Sequence, residues 1–346
     1  MQMTLFAIAT ILPVALLCLA VLSGGLWPLA ALLYMTLFTA GLDRFAPRLL
    51  PDLPKGAEFP SGKGLSVLLG LVHLGLLLVA VSAPIWIGPG MLGTFLTLVA
   101  MGQWFGQVSH PNAHELIHRP ERYARYLGRT IYSSLMIGHH ASAHLLVHHV
   151  HVGTKGDPNS AMKGVGFYRF FTTAWRGSFQ AGLRAENALR ARAQRPVPAW
   201  THPYLGYIAM ALAGLALSLW FMGPTGLLTY LFICLYAQAQ ILLADYVQHY
   251  GLRRAARENG KPEPVSDAHS WNSPHWFSSS LMINAPRHSD HHLYPNRPYP
   301  GLRLRAEMPI LPHSLPVMAA IALIPPLWRR VMARELKRLN DAGMTG

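Results

Sequence analysis

The sequence predicts an all-α fold: a single domain over residues 1–346, built as an integral-membrane six-helix transmembrane bundle with a histidine-rich cap at its cytoplasmic end. Three observations predict it. Only 13% of the residues are charged and 51% are hydrophobic, with a mean hydropathy of +0.25, whereas a soluble domain carries about 25% charged residues. Six apolar stretches are about as long as a bilayer is thick. Every basic residue falls on one side of the topology that those stretches define.

Leu5–Leu22 is apolar throughout and about long enough for ~30 Å of hydrocarbon. It lacks a charged leading region and a small-residue cleavage site, so it reads as a first span and not as a cleaved signal peptide. Ser23-Gly24-Gly25 turns the chain, and Leu26–Leu42 returns. Asp43–Lys63 is a loop rich in Pro, Gly and charge. Gly64–Ser82 is the third span, Ala83–Gly90 a short uncharged turn, and Met91–Val108 the fourth span. A polar block follows over 110–202. Pro203–Phe221 and Thr225–Val247 then form a second hairpin about Met222-Gly223-Pro224. Leu315–Val331, interrupted by Pro316, Pro325 and Pro326, is short and broken for a span and reads as interfacial or re-entrant.

Charge fixes the orientation. The turns 23–25, 83–90 and 222–224 contain no Lys or Arg, while 43–63 holds four, 110–202 twelve and the chain after Val247 thirteen, which accounts for all 29. The positive-inside rule then puts both termini and the histidine-rich segments 110–202 and 248–313 in the cytoplasm, as in a bacterial inner membrane. The net charge of +14 is therefore topological, and nucleic-acid binding is set aside. Cys18 and Cys234 both lie in apolar segments and no CxxC occurs, which excludes a disulfide framework and an intrinsic Fe–S centre.

Nine of the 18 histidines fall within 109–151. In HELIH, His114 and His118 stand four apart on one helix face, so both rings can reach one metal. Taken alone, this motif also describes zinc metalloproteases with Glu115 as general base. In HLLVHH, His144 and His148 share a face at i,i+4, while His149 points about 100° round the helix toward a second metal. RHSDHH supplies His288, His291 and His292, and QHYG supplies His249 at the end of the last full span.

These nine imidazoles are too many for one four- to six-coordinate ion and suit two. Structural zinc would more often include Cys. Two ions held mostly by neutral imidazoles keep their charge and leave open positions, an environment that fits Fe(II) meeting O₂. Protonation destroys such a ligand set, so activity is expected to fall below about pH 6, near the reference His pKa of ~6.5. Asp290, Glu115 and Asp245 are the carboxylates expected to orient ligands from behind, and Asp157 in GDPNS is a further candidate. His73 reads as a packed mid-span contact and His202 as interfacial. His110, His139, His140, His151, His269, His275 and His313 lack the complete pattern and read as bystanders.

At this point the motifs resemble the membrane-bound non-haem di-iron alkane 1-monooxygenases, close to xylene monooxygenase within the membrane fatty-acid desaturase superfamily. The matching text is NAHELIH (112–118), HLLVHHVHVGTKGDPNS (144–160), QHYGL (248–252), HSWNS (269–273) and RHSDHHLYPNRPY (287–299). The resemblance implies six transmembrane helices, two irons at the cytoplasmic end bound by the nine histidines, and terminal hydroxylation of alkanes or alkyl groups to primary alcohols. It also implies electrons from rubredoxin and its NAD(P)H-dependent reductase. Gln248 stands where an acidic residue often precedes HYG, and Ala285-Pro286 replaces the usual residues before RHSDHH.

The expected partners are a hydrocarbon entering from membrane lipid, O₂, and a rubredoxin- or ferredoxin-type donor docked on cytoplasmic basic residues such as Arg253, Arg254 and Arg257. The alternatives are a membrane desaturase or decarboxylase acting on acyl chains, a zinc metalloprotease, and a non-enzymatic membrane metal-binding or transport protein. The last would need polar residues through the bilayer, for which Gln103, Gln107, Gln238 and Gln240 are the candidates.

Overall fold

A computed structural model describes residues 2–45, 61–86 and 90–343. Most of the expected loop 43–63, and part of the turn 83–90, lie outside the described residues. Among the described residues the chain is helical, with two isolated bridges, Ala256 with Pro262 and Asn272 with Ile310, as the extended pairing.

Helix α1 (Gln2–Ser23) contains Pro13, which removes the hydrogen bond that Ala9 O would accept. Tyr34 Oη donates to that carbonyl at 3.3 Å, so a residue of the next helix repairs the ladder where no water could. Gly24 and Gly25, at φ +60° and +59°, make the left-handed turn into α2 (Trp27–Leu33). A π-turn (Tyr34–Phe38) joins α2 to α3 (Thr39–Phe45). After α4 (Lys63–Trp86), α5 (Met91–Trp104) passes through a second π-turn (Phe105–Ser109) into α6 (His110–Ile117). Helix α7 (Arg122–Ser134) folds back on α6 at Gly128, where any side chain would meet Ala113 O at 2.9 Å.

Short α8 (His139–Ala143), a third π-turn (His144–His148) and α9 (His149–His151) precede the long surface helix α10 (Phe167–Ala191). Continuous helical structure runs over α11 (Pro203–His249), but Gly223 (φ 61°, ψ −160°) breaks it beside Pro224. Gly214 faces the Tyr230 hydroxyl and Gly226 faces Ser218 O, which makes 203–222 and 224–249 the antiparallel limbs of the expected hairpin. Then come α12 (Trp276–Leu281), α13 (His288–Leu293), α14 (Leu315–Ala322) and α15 (Pro325–Asp341). The break between α14 and α15 falls before Pro325, as the prolines led one to expect. Helix α15 buries Trp328, Met332, Leu336 and Leu339 against the end of α11, with Trp328 on Tyr246 and Tyr250.

All six stretches read as spans are helical. Among the described residues, three helices are long and apolar enough to cross a membrane: Gln2–Ser23, Lys63–Pro84 and the folded Pro203–His249. The other two expected spans, 26–42 and 91–108, are each divided by a π-turn.

Candidate metal centre

The eight histidines singled out by spacing and His249 at the span end converge on one place and sort into two groups. One holds His114, His118, His144, His149 and His291; the other holds His148, His249, His288 and His292. Within each group the ligand nitrogens lie within 4.8 Å of one another, and each group could hold a metal ion.

The partition differs from the helical-wheel expectation. His144 and His148 were expected to share a metal and His149 to face another. Instead His149 Nε2 lies 2.9 Å from His144 Nε2, and His148 turns to His292 at 3.2 Å. The π-turn is the cause. A wider turn over His144–His148 aligns residues five apart, not four. In α13 the ordinary spacing holds: His288 and His292 face each other at 3.1 Å, and His291 crosses to His149 at 3.1 Å.

The donor set fits metal ions. Ring nitrogens of 148, 292, 288 and 249, and of 144, 149 and 291, approach at 2.9–3.2 Å with mainly one another to bond. Those are ligand-polyhedron edges: about 2.9 Å octahedral and about 3.3 Å tetrahedral for metal–nitrogen bonds of about 2.0–2.1 Å. Nε2 of His114 and of His118 are buried without a hydrogen-bond partner among the described residues, an arrangement that is costly without a cation to receive them. Burial, reinforced by neighbouring rings, holds His114, His118, His144 and His291 well below the ordinary histidine pKa, and His149 down to about 3. They are neutral imidazoles, the form that binds metal.

Asp157 is the carboxylate that touches a ligand ring. Its Oδ2 accepts from His148 Nδ1 at 2.8 Å and from Ser160 Oγ at 2.6 Å, and its Oδ1 accepts from Asn159 N at 3.0 Å. Against burial, which disfavours charge on both, Asp157 raises the pKa of His148, and His148 with Ser160 lowers that of Asp157. Fixing the proton on Nδ1 leaves Nε2 free for a metal. Asn159 Nδ2 donates to Asp245 Oδ2 at 2.6 Å, so the GDPNS loop ties His148 to the helix that carries His249. Arg253 completes the tie through Thr154 O (3.0 Å) and Ser160 O (3.2 Å).

The other expected carboxylates are engaged elsewhere. Asp290, fully buried, accepts from Arg297 (2.5 Å), Arg305 (2.9 Å) and Arg303 N (3.0 Å), which pins the loop after α13. Glu115 lies 2.7 Å from Arg119 Nη2. Burial pushes its pKa up to about 7, with Arg119 and the Tyr299 backbone N–H pulling the other way. Glu115 is thus paired with Arg119, four residues further along the chain. Adjacency in sequence predicted both residues, but a helix sends neighbouring side chains in different directions.

The histidines read as bystanders stay outside both groups. His73 bonds Ser134 (2.8 Å) and Ser109 (2.7 Å), His110 bonds the Tyr132 hydroxyl (3.1 Å), and His202 accepts from Tyr204 N (3.2 Å) at the start of α11. His269 bonds Glu263 at 3.0 Å and accepts from Ser266 N at 2.9 Å. Its HSWNS neighbour Trp271 donates to Gln248 O (2.8 Å) and Tyr250 O (2.9 Å), the carbonyls on either side of His249, so HSWNS is stapled to QHYG. Of the four membrane glutamines, Gln103, Gln238 and Gln240 are hydrogen-bonded to Tyr236, to Leu135 O and Trp175, and to Gly102 O respectively. They hold helices together.

An all-helical protein whose apolar helices present two histidine groups is the architecture of a known class. A model of the fatty acid desaturase family matches residues 89–321, and the chain belongs to that family. Among curated proteins it is similar to alkane 1-monooxygenase 1 of Pseudomonas aeruginosa, 33% identical over 248 residues, covering 72% of this chain and 65% of the relative. Alkane 1-monooxygenase 2 of Alcanivorax borkumensis is 32% identical over 246 residues (71% and 64%). The hydroxylase component of a Pseudomonas putida xylene/toluene monooxygenase is 28% identical over 229 residues (66% and 60%). The chain thus spans just under two thirds of the length of the first two.

Proposed function

We propose that the chain is an O₂-dependent di-iron monooxygenase that hydroxylates the terminal carbon of alkanes or alkyl groups to primary alcohols. The observation that carries this reading is the sorting of nine imidazoles into groups of five and four, with relatives named alkane 1-monooxygenase and xylene/toluene monooxygenase in support. When bound, two irons would supply O₂ activation and oxygen insertion into a C–H bond.

The chain's own residues supply the rest. The nine rings hold the ions as neutral donors, and Asp157 fixes the tautomer and direction of His148. Asn159 with Asp245 locks the two ligand-bearing segments together, while Glu115 with Arg119 and Asp290 with its arginines hold the backbones of HELIH and RHSDHH. Apolar walls between the helices orient a hydrocarbon that offers no polar handle. We place the protein in a bacterial inner membrane with six spans and a cytoplasmic site, taking electrons from a rubredoxin- or ferredoxin-type donor. Arg257, which is exposed, suits a docking role better than Arg253 and Arg254, whose guanidinium groups bind backbone carbonyls.

The test is product analysis by mass spectrometry under ¹⁸O₂, with an n-alkane series and p-xylene, a reductase–rubredoxin system, and iron measured on the same sample. Labelled primary alcohol with about two irons per chain supports the reading. Alkenes from acyl substrates, or zinc with peptidase activity, overturn it.

A further inference from the structure

The residue before His249 is held from two sides. Gln248 is buried near the end of α11, and its backbone carbonyl accepts from Trp271 N at 2.8 Å. Its side-chain Nε2 donates to Ala285 O at 3.1 Å. Ala285 lies three residues before His288, and His249 Nε2 and His288 Nε2 stand 3.0 Å apart. One amide therefore joins the two chain segments whose rings form an edge of the group of four.

The turn at the far end of that bond needs holding. Ile283 and Asn284 have φ of 41° and 59°, left-handed backbone that a residue other than glycine, and a β-branched one above all, keeps only where its surroundings enforce it. Asn284 N donates to Ser279 O (2.7 Å) and Asn284 Nδ2 to Tyr299 O (2.9 Å), while Pro286 O accepts from Ser273 N (3.0 Å). These bonds anchor the turn to α12, to the loop after α13 and to HSWNS. The Gln248 amide anchors it to the helix that carries His249.

A cavity of about 560 Å³ opens between α2–α3, α5, α11 and α14, and a smaller one adjoins it. The smaller one is lined by Ala244, one turn before Gln248 on the same helix face, and by Met282, whose carbonyl accepts from Ala285 N at 3.0 Å. Both arms of the tie thus run on into the cavity wall, so a shift at Gln248 is felt by the apolar walls as well as by the ligands.

We propose that Gln248 is a positioning residue whose amide fixes the separation of His249 and His288, and with it the ligand geometry of the group of four. The group of five has no share in this tie. Gln248 deepens the two-metal reading, on which its role rests, by naming the side chain that sets the geometry of one ion. A methionine at 248 keeps the length and loses the donor; an asparagine keeps the amide and falls short of the carbonyl.

The experiment uses the full chain in lipid nanodiscs, stripped of metal with a chelator and titrated with Co(II), whose visible bands follow the geometry of its ligands. The bands missing in His249→Ala are those of the group of four. Gln248→Met is expected to shift those bands and to weaken that Co(II) about tenfold, the lower end of what losing an outer hydrogen bond costs a metal site. The other Co(II) keeps its bands and its affinity, and Gln248→Asn gives the same pattern. Thermal melts of the metal-free variants that match the unsubstituted protein show that the change is local. A group of four unaltered in both variants, or equal weakening of the two sites, overturns the proposal and leaves the two-metal reading standing. Uptake of fewer than two Co(II) by the unsubstituted chain overturns both.

Discussion

The two histidine groups are built differently. The group of five takes four of its ligands from 114–149 and one from α13, and the bonds found for its rings run to one another. The group of four takes one ligand from the π-turn and three from the C-terminal part of the chain. A carboxylate stands behind it: Asp157, on His148. One group is rich in ligands and electrically neutral; the other has fewer ligands, an anion at its back and a loop that binds its pieces together. Redundancy secures the first, and orientation secures the second.

The largest effect that could break this contrast is loss of a ligand. His249→Ala leaves three rings in the group of four, and is expected to bring iron toward one per chain and to cut hydroxylation by more than about a hundredfold. His118→Ala leaves four rings, a complete set for a four-coordinate ion, with both irons kept and a loss nearer tenfold. Metal analysis beside turnover checks it, and equal iron loss in the two variants erases the asymmetry.

Asp157→Asn sharpens the contrast further. Without an anionic acceptor for His148 Nδ1, metal affinity or activity should fall by about 10- to 100-fold, read as iron retained during dialysis against a chelator. Asp290→Asn is the companion. It takes the anion from Arg297 and one of two from Arg305, which keeps Asp267, so it should cost about 1–3 kcal/mol of stability and appear as a lower Tm with less change in iron affinity.

The smallest effect is with pH. In the metal-free chain the depressed histidines, such as His149 near 3, take up protons on unfolding at any pH between their folded values and ~6.5. The unfolded state binds more protons there, so stability falls as pH drops below about 6.5. His148 has the opposite sign: its raised pKa gives stability that is full below about 6.5 and is lost as pH rises through the folded value. Thermal melts of metal-free protein and of Asp157→Asn across pH 5–8 should therefore diverge toward low pH, with the variant losing more.

Much of this was legible in residues alone. Helical spacing within three motifs found eight of the nine converging histidines, the end of the last full span pointed to the ninth, His249, and Gly223-Pro224 marked the hairpin. What spacing could not give was the partition. A period of 3.6 assumes an unbroken α-helix, and the π-turn at His144–His148 changes which residues align without any Gly or Pro to announce it. The carboxylates divide for a related reason. Asp290 and Glu115 were singled out because they sit among histidines, yet their directions lead to arginines. Asp157 reaches a ring nine residues away because the GDPNS turn folds back, a contact that exists only once Ser160 and Asn159 have closed the loop.

The unequal sourcing of the ligands also sets an order of events during synthesis. Four of the five ligands of the first group have been made by residue 149, whereas the second group owns only His148 until residue 249 is made and is complete only at His292. A growing chain can therefore offer one nearly finished site long before the other exists. Metal capture by such a chain would come in two steps, and a chain cut short before α13 would hold four of the five rings of the first group but only two of the four of the second.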